Sequence, residues 1–461
     1  MTEGNPDRTT ATWTQGQGHA SSGLDRIREA AGRDPSLRFT ALMHHVTVDL
    51  LRESYFALKR NAAPGLDGVT WAAYGDGLEA RLADLHDRVH SGRYRARPCK
   101  RVWIPKPDGR QRPLGIAVLE DKVVQHAMTR VLTPIYEQDF LGFSYGFRPG
   151  RGPHDALDAL WVALMERKVN WVLDADIRSF FDALDHEWTM KFVAHRVADP
   201  RVARLLRKWL RAGVSEDGQW SRTAVGIPQG AVISPLLANV YLHYVLDQWV
   251  HAWRERRACG EVIIVRYADD FVLGFQHRGD AERLLADLRA RLAAFALELN
   301  DEKTRLIEFG RFAATNRKER GEGKPETFDF LGFTHLCGTR RSDGRFTVHR
   351  HSSAKRLRAK AKEVREELMR HRSAPIREQG SWLRSVVQGF FNYHAVPGNG
   401  RALDAFRTLA QKAWLRALRR RSQKGMRLTW ARVVRLFRTW LPSVRILHPY
   451  PNVRFRVTHP R

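Results

Sequence analysis

The chain is short of cysteine, of acidic residues and of long apolar runs. Its three cysteines, Cys99, Cys259 and Cys337, are scattered and form no CxxC pair. That excludes a disulfide framework and a cysteine-rich zinc module, and leaves free, buried thiols as the expectation. No apolar run approaches the roughly 18 residues of a membrane helix, and the N-terminus has no apolar signal core. A soluble, intracellular protein with no membrane partner is expected. Acidic residues number 50 against 78 Lys and Arg, a formal charge of +28. A surplus of that size calls for a polyanionic partner, nucleic acid before membrane.

What is present suffices for sizeable cores: 461 residues, 43% of them hydrophobic, allow two or three domains. Residues 1–33 are dominated by Thr, Gly, Gln, Ser and Asp and read as a disordered leader. An amphipathic helix is expected over 42–60, ended by NAAPGLDG (61–68), and another over 78–90. KRVWIPKPDGRQRPLGI (100–116) alternates basic and apolar residues around Pro-Asp-Gly and predicts a basic hairpin, with helix resuming near Asp121. NRKERGEGKPE (316–326) reads as an exposed loop. After about residue 352 strand signals cease, and residues 401–440 hold 12 Lys or Arg against the single acid Asp404. Such a shift in composition marks a domain boundary. Within it, Leu403, Phe406, Ala410, Ala413, Trp414 and Ala417 recur at helical spacing as a buried stripe. Arg407, Lys412, Arg416, Arg419 and Arg420 mostly fall away from that stripe, and the scarcity of acidic partners favours an RNA-facing surface over a solvated charged face.

VIIVRYADDFVLGF (262–275) sets two aspartates between short β-rich runs, so the expected structure is a hairpin with Ala268-Asp269-Asp270 as its turn. Turn chemistry alone explains Asp at such a place. Neighbouring carboxylates on a rigid hairpin also suit a two-metal phosphoryl-transfer site, which needs a further carboxylate on a nearby strand. WVLDADIRSFFDALDH (171–186) offers Asp174 and Asp176 on one face by period-2 alternation, equally placed as candidates. Asp182 and Asp185 fall later, where a helix begins, and either could simply cap it. GIPQGAVISPLLANVYL (226–242) combines a Gly-Pro turn with a helix N-capped by Ser234, and Gln229 could face a nucleotide or merely complete the turn. Lys106 and Arg112 could clamp a triphosphate or be ordinary surface charge. Lys303 could donate a proton to pyrophosphate or simply end a strand.

The ordered series APGLDG, IPKPDGRQRPLGI, SYGFRPGRGPHDAL, DADIRSFFDALDH, GIPQGAVISPLLANVYL, YADD, LNDEKT and FLGF resembles the bacterial group II intron reverse transcriptase/maturase family. The resemblance runs through about residues 40–335 and more weakly through GFFNYHAV (389–396). It implies an α+β right-hand polymerase: N-terminal extension, fingers and a palm with a small antiparallel sheet over 34–352, then an all-α basic thumb and maturase region over 353–461. It implies metal ligation by Asp176, Asp269, Asp270 and the Ile177 carbonyl, choosing Asp176 over Asp174. Two Mg²⁺ ions, replaceable by Mn²⁺, are the expected cofactors. Phe181 would gate the ribose 2′-hydroxyl, Gln229 would lie along the incoming dNTP with Lys106 and Arg112 on its triphosphate, and Phe330, Leu331, Gly332 and Phe333 would meet the primer terminus. Lys303 keeps its place as candidate general acid. The implied partners are a group II intron RNA, a DNA target or primer and dNTPs, in the bacterial cytoplasm and at the nucleoid during mobility. Because the sequence ends at RFRVTHPR without the family's cysteine-paired HNH endonuclease, insertion primed by existing DNA ends is expected. A domesticated reverse transcriptase and a splicing-only RNA binder are the alternatives.

Overall fold

The computed structural model describes residues 20–105, 111–216, 218–221 and 225–458. Among the described residues the strands are β1 (Cys99–Pro105), β2 (Gln111–Ile116), β3 (Trp171–Ala175), β4 (Val214–Glu216), β5 (Gln219–Ser221), β6 (Val262–Tyr267), β7 (Asp270–Phe275), β8 (Arg305–Glu308), β9 (Phe328–Phe330), β10 (Phe333–Thr339) and β11 (Phe346–Ser352). They form three small sheets, ordered β2-β1-β4-β5, β6-β7-β3-β8 and β11-β10-β9. The molecule thus mixes helices with small sheets whose pairings are antiparallel, apart from the parallel contact of β1 with β4.

The sheet β6-β7-β3-β8 explains why its strands read as apolar runs. A strand buried on both faces shows no polar alternation. Leu173, Phe271, Leu273 and Phe275 face a large core shared with the helices Leu119–Asp139, His186–Ala194, Ser234–Leu242 and Arg278–Ala293. Val172, Val265, Val272 and Ile307 face a second core built with the helix Pro153–Glu166 and the sheet β11-β10-β9. A third core holds the helices Ala354–Arg370, Ile376–His394, Gly400–Arg419 and Trp430–Trp440. All six residues of the stripe from Leu403 to Ala417 are buried in it. Strand structure ends at Ser352 among the described residues.

Several sequence expectations need correction. The helix Ala20–Arg33 occupies the second half of the stretch read as a disordered leader. Ile27 and Ala31 are buried, and the Ala31 carbonyl accepts from Arg196. The polar composition concealed a short stripe, Leu24, Ile27 and Ala31, at helical spacing. The helix expected over 42–60 is a 3₁₀ turn at Met43–His45 followed by a helix from Val48 to Ala57, because Thr47 caps it by accepting from the Leu50 amide at 3.1 Å. The loop expected over 316–326 begins inside a helix, Ala313–Glu319. Of the three thiols Cys99 is buried and Cys337 partly so, whereas Cys259 is exposed. The turn at 107–109 lies outside the described residues.

Candidate active site

The pairing Tyr267↔Asp270 closes a two-residue turn of Ala268 and Asp269, so Asp270 opens β7 rather than belonging to the turn. Ala268 takes a left-handed φ of 58°. That conformation is strained for a residue bearing a Cβ and must be held by its surroundings. The segment before Phe147 supplies part of the hold. Arg266 and Ser144 form a parallel bridge, with Tyr145 N–H donating to the Arg266 carbonyl at 2.8 Å and Arg266 N–H to the Phe143 carbonyl at 2.9 Å. Gly146 then lies so close that a Cβ there would stand 2.2 Å from the Ala268 nitrogen. Only glycine fits at that approach.

Asp176 follows the end of β3, the strand that pairs with β7. Its backbone carbonyl accepts from Asn300 N–H at 2.8 Å, and Ile177 bridges Leu299, so the segment carrying Lys303 runs alongside. Lys303 Nζ meets Asp176 Oδ2 at 2.7 Å and Asn300 Nδ2 donates to the same oxygen at 3.2 Å. Burial, then Asp269 and Asp176, push the Asp270 carboxyl up to about 6. Asp269 is raised too, chiefly by burial and with Asp176 adding to it, while the charges of Arg112 and Arg266 act to lower it. Asp176 thus acts on both aspartates of the hairpin. Asp174, also pushed up to about 6 chiefly by burial, has Arg305 3.7 Å away, and both Asp329 and Asp176 act to raise it further.

The donor set is all carboxylate, hard and anionic, crowded where burial disfavours charge. That chemistry fits divalent cations with oxygen ligands. Among the described residues no three potential ligands are already close enough to grip an ion, and Lys303 supplies the local positive charge on Asp176.

The other predicted residues are distributed around this point. Arg112 is an exposed residue of β2, paired with Ile104. Lys106 lies outside the described residues. Gln229 is half-buried in the turn before the helix Ser234–Leu242, and its carbonyl accepts from Gly115 N–H at 2.7 Å. That contact ties the turn to β2 across a cavity of about 250 Å³ lined by Arg101, Leu114, Asp182, Val225 and Gln229 among others. Ser234 is not the cap expected of it: it is the first residue of its helix, buried, with Oγ donating to the Pro228 carbonyl at 3.0 Å. Asp185 does cap, accepting from Trp188 N–H at 2.7 Å. Phe181 is half-buried beside Phe180, its carbonyl held by Ile227 N–H at 2.8 Å.

In FLGF the Phe330 and Phe333 side chains are buried in the second core, so a primer could meet only the turn between them. There the Leu331 carbonyl accepts from Tyr393 at 2.8 Å and the Gly332 carbonyl from Ser353 N–H at 3.0 Å. On the helix Gly400–Arg419 and just past it, Lys412, Arg416, Arg419 and Arg420 are exposed. Arg407 is half-buried and donates to the Pro442 carbonyl at 2.9 Å, which removes it from the free basic face. Sequence reasoning passed over Arg266, which is fully buried at the turn end of β6. Its signal was present: an arginine inside an apolar strand, next to the tyrosine.

Residues 104–335 match the family described as reverse transcriptase (RNA-dependent DNA polymerase). Protein YkfC of Escherichia coli is 35% identical over 311 residues, 60% of this chain and 81% of that protein. The group II intron-encoded protein LtrA of Lactococcus lactis is 32% identical over 229 residues, 49% of this chain and 38% of that protein. The putative COX1/OXI3 intron 1 protein of Saccharomyces cerevisiae is 28% identical over 307 residues, 56% and 36% of the two chains. The chain therefore spans well under half the length of these two intron proteins.

Proposed function

Because this chain belongs to the reverse transcriptase (RNA-dependent DNA polymerase) family, we propose that it extends a primer on an RNA template and that the same chain binds a group II intron RNA to assist splicing and mobility. The observation that carries the polymerase reading is the placement of Asp176 just past β3 beside Asp269 of the β6–β7 turn and Asp270 at the start of β7, within the segment that matches the family. In this reading the sheet β6-β7-β3-β8 is the palm, β1 and β2 belong to the fingers, and the four-helix third core is the thumb and maturase region.

Asp176, Asp269, Asp270 and the Ile177 carbonyl would hold two Mg²⁺ ions, which when bound favour ionisation of the primer 3′-hydroxyl and offset the charge of the triphosphate. The primer oxygen attacks the α-phosphate of the dNTP and the bond to pyrophosphate breaks. Arg112, whose charge already acts on Asp269, and Lys106 orient the triphosphate. Gln229 lies along the nucleotide at the cavity beside β2, and Phe181 leaves no room for a ribose 2′-hydroxyl. Lys303, the partner of Asp176, can give a proton to the departing pyrophosphate. The turn Leu331–Gly332 steadies the primer end. Lys412, Arg416, Arg419 and Arg420, exposed on and just past a helix poor in acidic residues, grip intron RNA.

Primer extension by the purified protein on an RNA template with dNTPs and Mg²⁺ tests the polymerase reading. Asp269→Ala is expected to lower extension at least 1000-fold. Equal extension by the two proteins would discard the site, and no extension by either would discard the polymerase reading.

A further inference from the structure

Arg266 is fully buried, and so is its partner Asp247. A buried ion pair is a weak source of net stability, since desolvation offsets most of the attraction. What stands out at Arg266 is where its hydrogen bonds go. Nε donates to Asp247 Oδ1 at 2.7 Å and Nη2 to Asp247 Oδ2 at 2.5 Å. Nη2 also donates to Ser144 Oγ at 2.7 Å. Nη1 donates to Asn239 Oδ1 at 3.0 Å and to the Ala268 carbonyl at 2.8 Å. A guanidinium has five N–H groups, and here all five are used.

Four partner residues, from three segments of the chain, meet on this one side chain. Asp247 ends the π-helical turn His243–Asp247, an insertion in the helical ladder that alters which way its last residue faces. Asn239 belongs to the helix before it and also donates to the Gly146 carbonyl at 2.7 Å. Ser144 and Gly146 belong to the segment pressed against the hairpin. The fourth member is the strained Ala268, one residue before Asp269. The one backbone oxygen that Arg266 grips therefore sits inside the turn that aims the carboxylates.

We propose that Arg266 is a positioning residue for the polymerase site: its planar five-donor fork, locked by Asp247 and Asn239, holds the Ala268 carbonyl and so fixes where Asp269 and Asp270 point. Lysine cannot reproduce this, because its ammonium is a point charge that cannot bridge Asp247 and Ala268 in one plane. The inference rests on the polymerase reading for its consequence, but the hold on the turn can be measured without activity.

The test compares Arg266→Lys with the wild type by hydrogen exchange of the full chain and by primer extension. Arg350→Lys serves as a control, because Arg350 is likewise a buried arginine paired with a buried aspartate, Asp158 at 2.9 Å, but sits on β11 rather than on the hairpin. Expected for Arg266→Lys is exchange at least 10-fold faster at residues 268–270, with β3 and β8 unchanged. Extension should show kcat down at least 10-fold and the dNTP KM within about 3-fold. Where Arg266→Lys does not fold, Asn239→Ala, which removes one anchor of Nη1 without stranding a charge, should show the same pattern at about 3-fold. Unchanged exchange at 268–270 overturns the proposal, as does an equal kcat loss in Arg350→Lys at matched thermal stability. If the wild type extends no primer, the polymerase reading fails and the exchange pattern alone decides whether Arg266 holds the turn.

Discussion

Asp270 carries a carboxyl raised to about 6 by burial and by two neighbouring carboxylates. Its folded value lies above the ordinary 3.8, so the folded protein without a cation holds this proton more tightly than the unfolded chain. That contribution to stability is complete below 3.8 and is lost as pH rises through about 6. Divalent cations act in the opposite sense, favouring the ionised form. Extension should therefore fall as pH drops through about 6, and raising the Mg²⁺ concentration should move that acid limb to lower pH. Rate against pH at two Mg²⁺ concentrations checks this, and a limb that stays in place would assign it to another group. At this scale the sequence pattern was informative about residue type and blind to partners. Asp174 and Asp176 were equal candidates by alternation and only the family resemblance chose Asp176; what the fold adds is their partners, Arg305 beside the one and Lys303 beside the other.

Secondary-structure elements were legible where their signals are local. The β6–β7 hairpin, the helix Leu78–His90 and the stripe of the helix Gly400–Arg419 follow from apolar spacing and turn residues. Elements held by distant contacts were not, as with the helix Ala20–Arg33, whose few apolar residues matter because the helix Leu119–Asp139 receives them. Another such contact joins the C-terminal helix Pro451–Thr458 to the helix Pro153–Glu166. Fully buried Asp158 accepts from Arg350 of β11 at 2.9 Å and from Arg454 at 2.5 Å. Removing one partner of a buried pair leaves an uncompensated charge, so Asp158→Ala should lower unfolding stability by about 3–5 kcal/mol. Urea denaturation measures it, and a change below 1 kcal/mol would mean that water reaches Arg350 once the carboxylate is gone.

For the whole molecule the dominant quantity is charge. A protein carrying +28 that neutralises about 6–10 RNA phosphates should lose affinity roughly 10³–10⁵-fold between about 50 and 200 mM salt. Lys412, Arg416 and Arg420 are exposed on one helix and its end, so reversing all three to Glu should weaken binding of structured RNA at least 10-fold and flatten the salt slope. Filter binding across a salt series checks both. A slope equal to wild type would place the RNA on another surface.

Composition, motif order and periodicity by themselves determined the charge class, the residue types of the site and most regular elements, because these depend on chemistry and on spacing of a few residues. Tertiary structure alone decided which carboxylates act on one another, which basic side chains stay free and what holds the Ala268 turn. Those are properties of groups brought together from positions apart in the chain, by 122 residues in the case of Ser144 and Arg266. Distance in the chain says nothing of distance in space, and the electrostatic coupling that shifts a carboxyl or locks a guanidinium depends only on the latter.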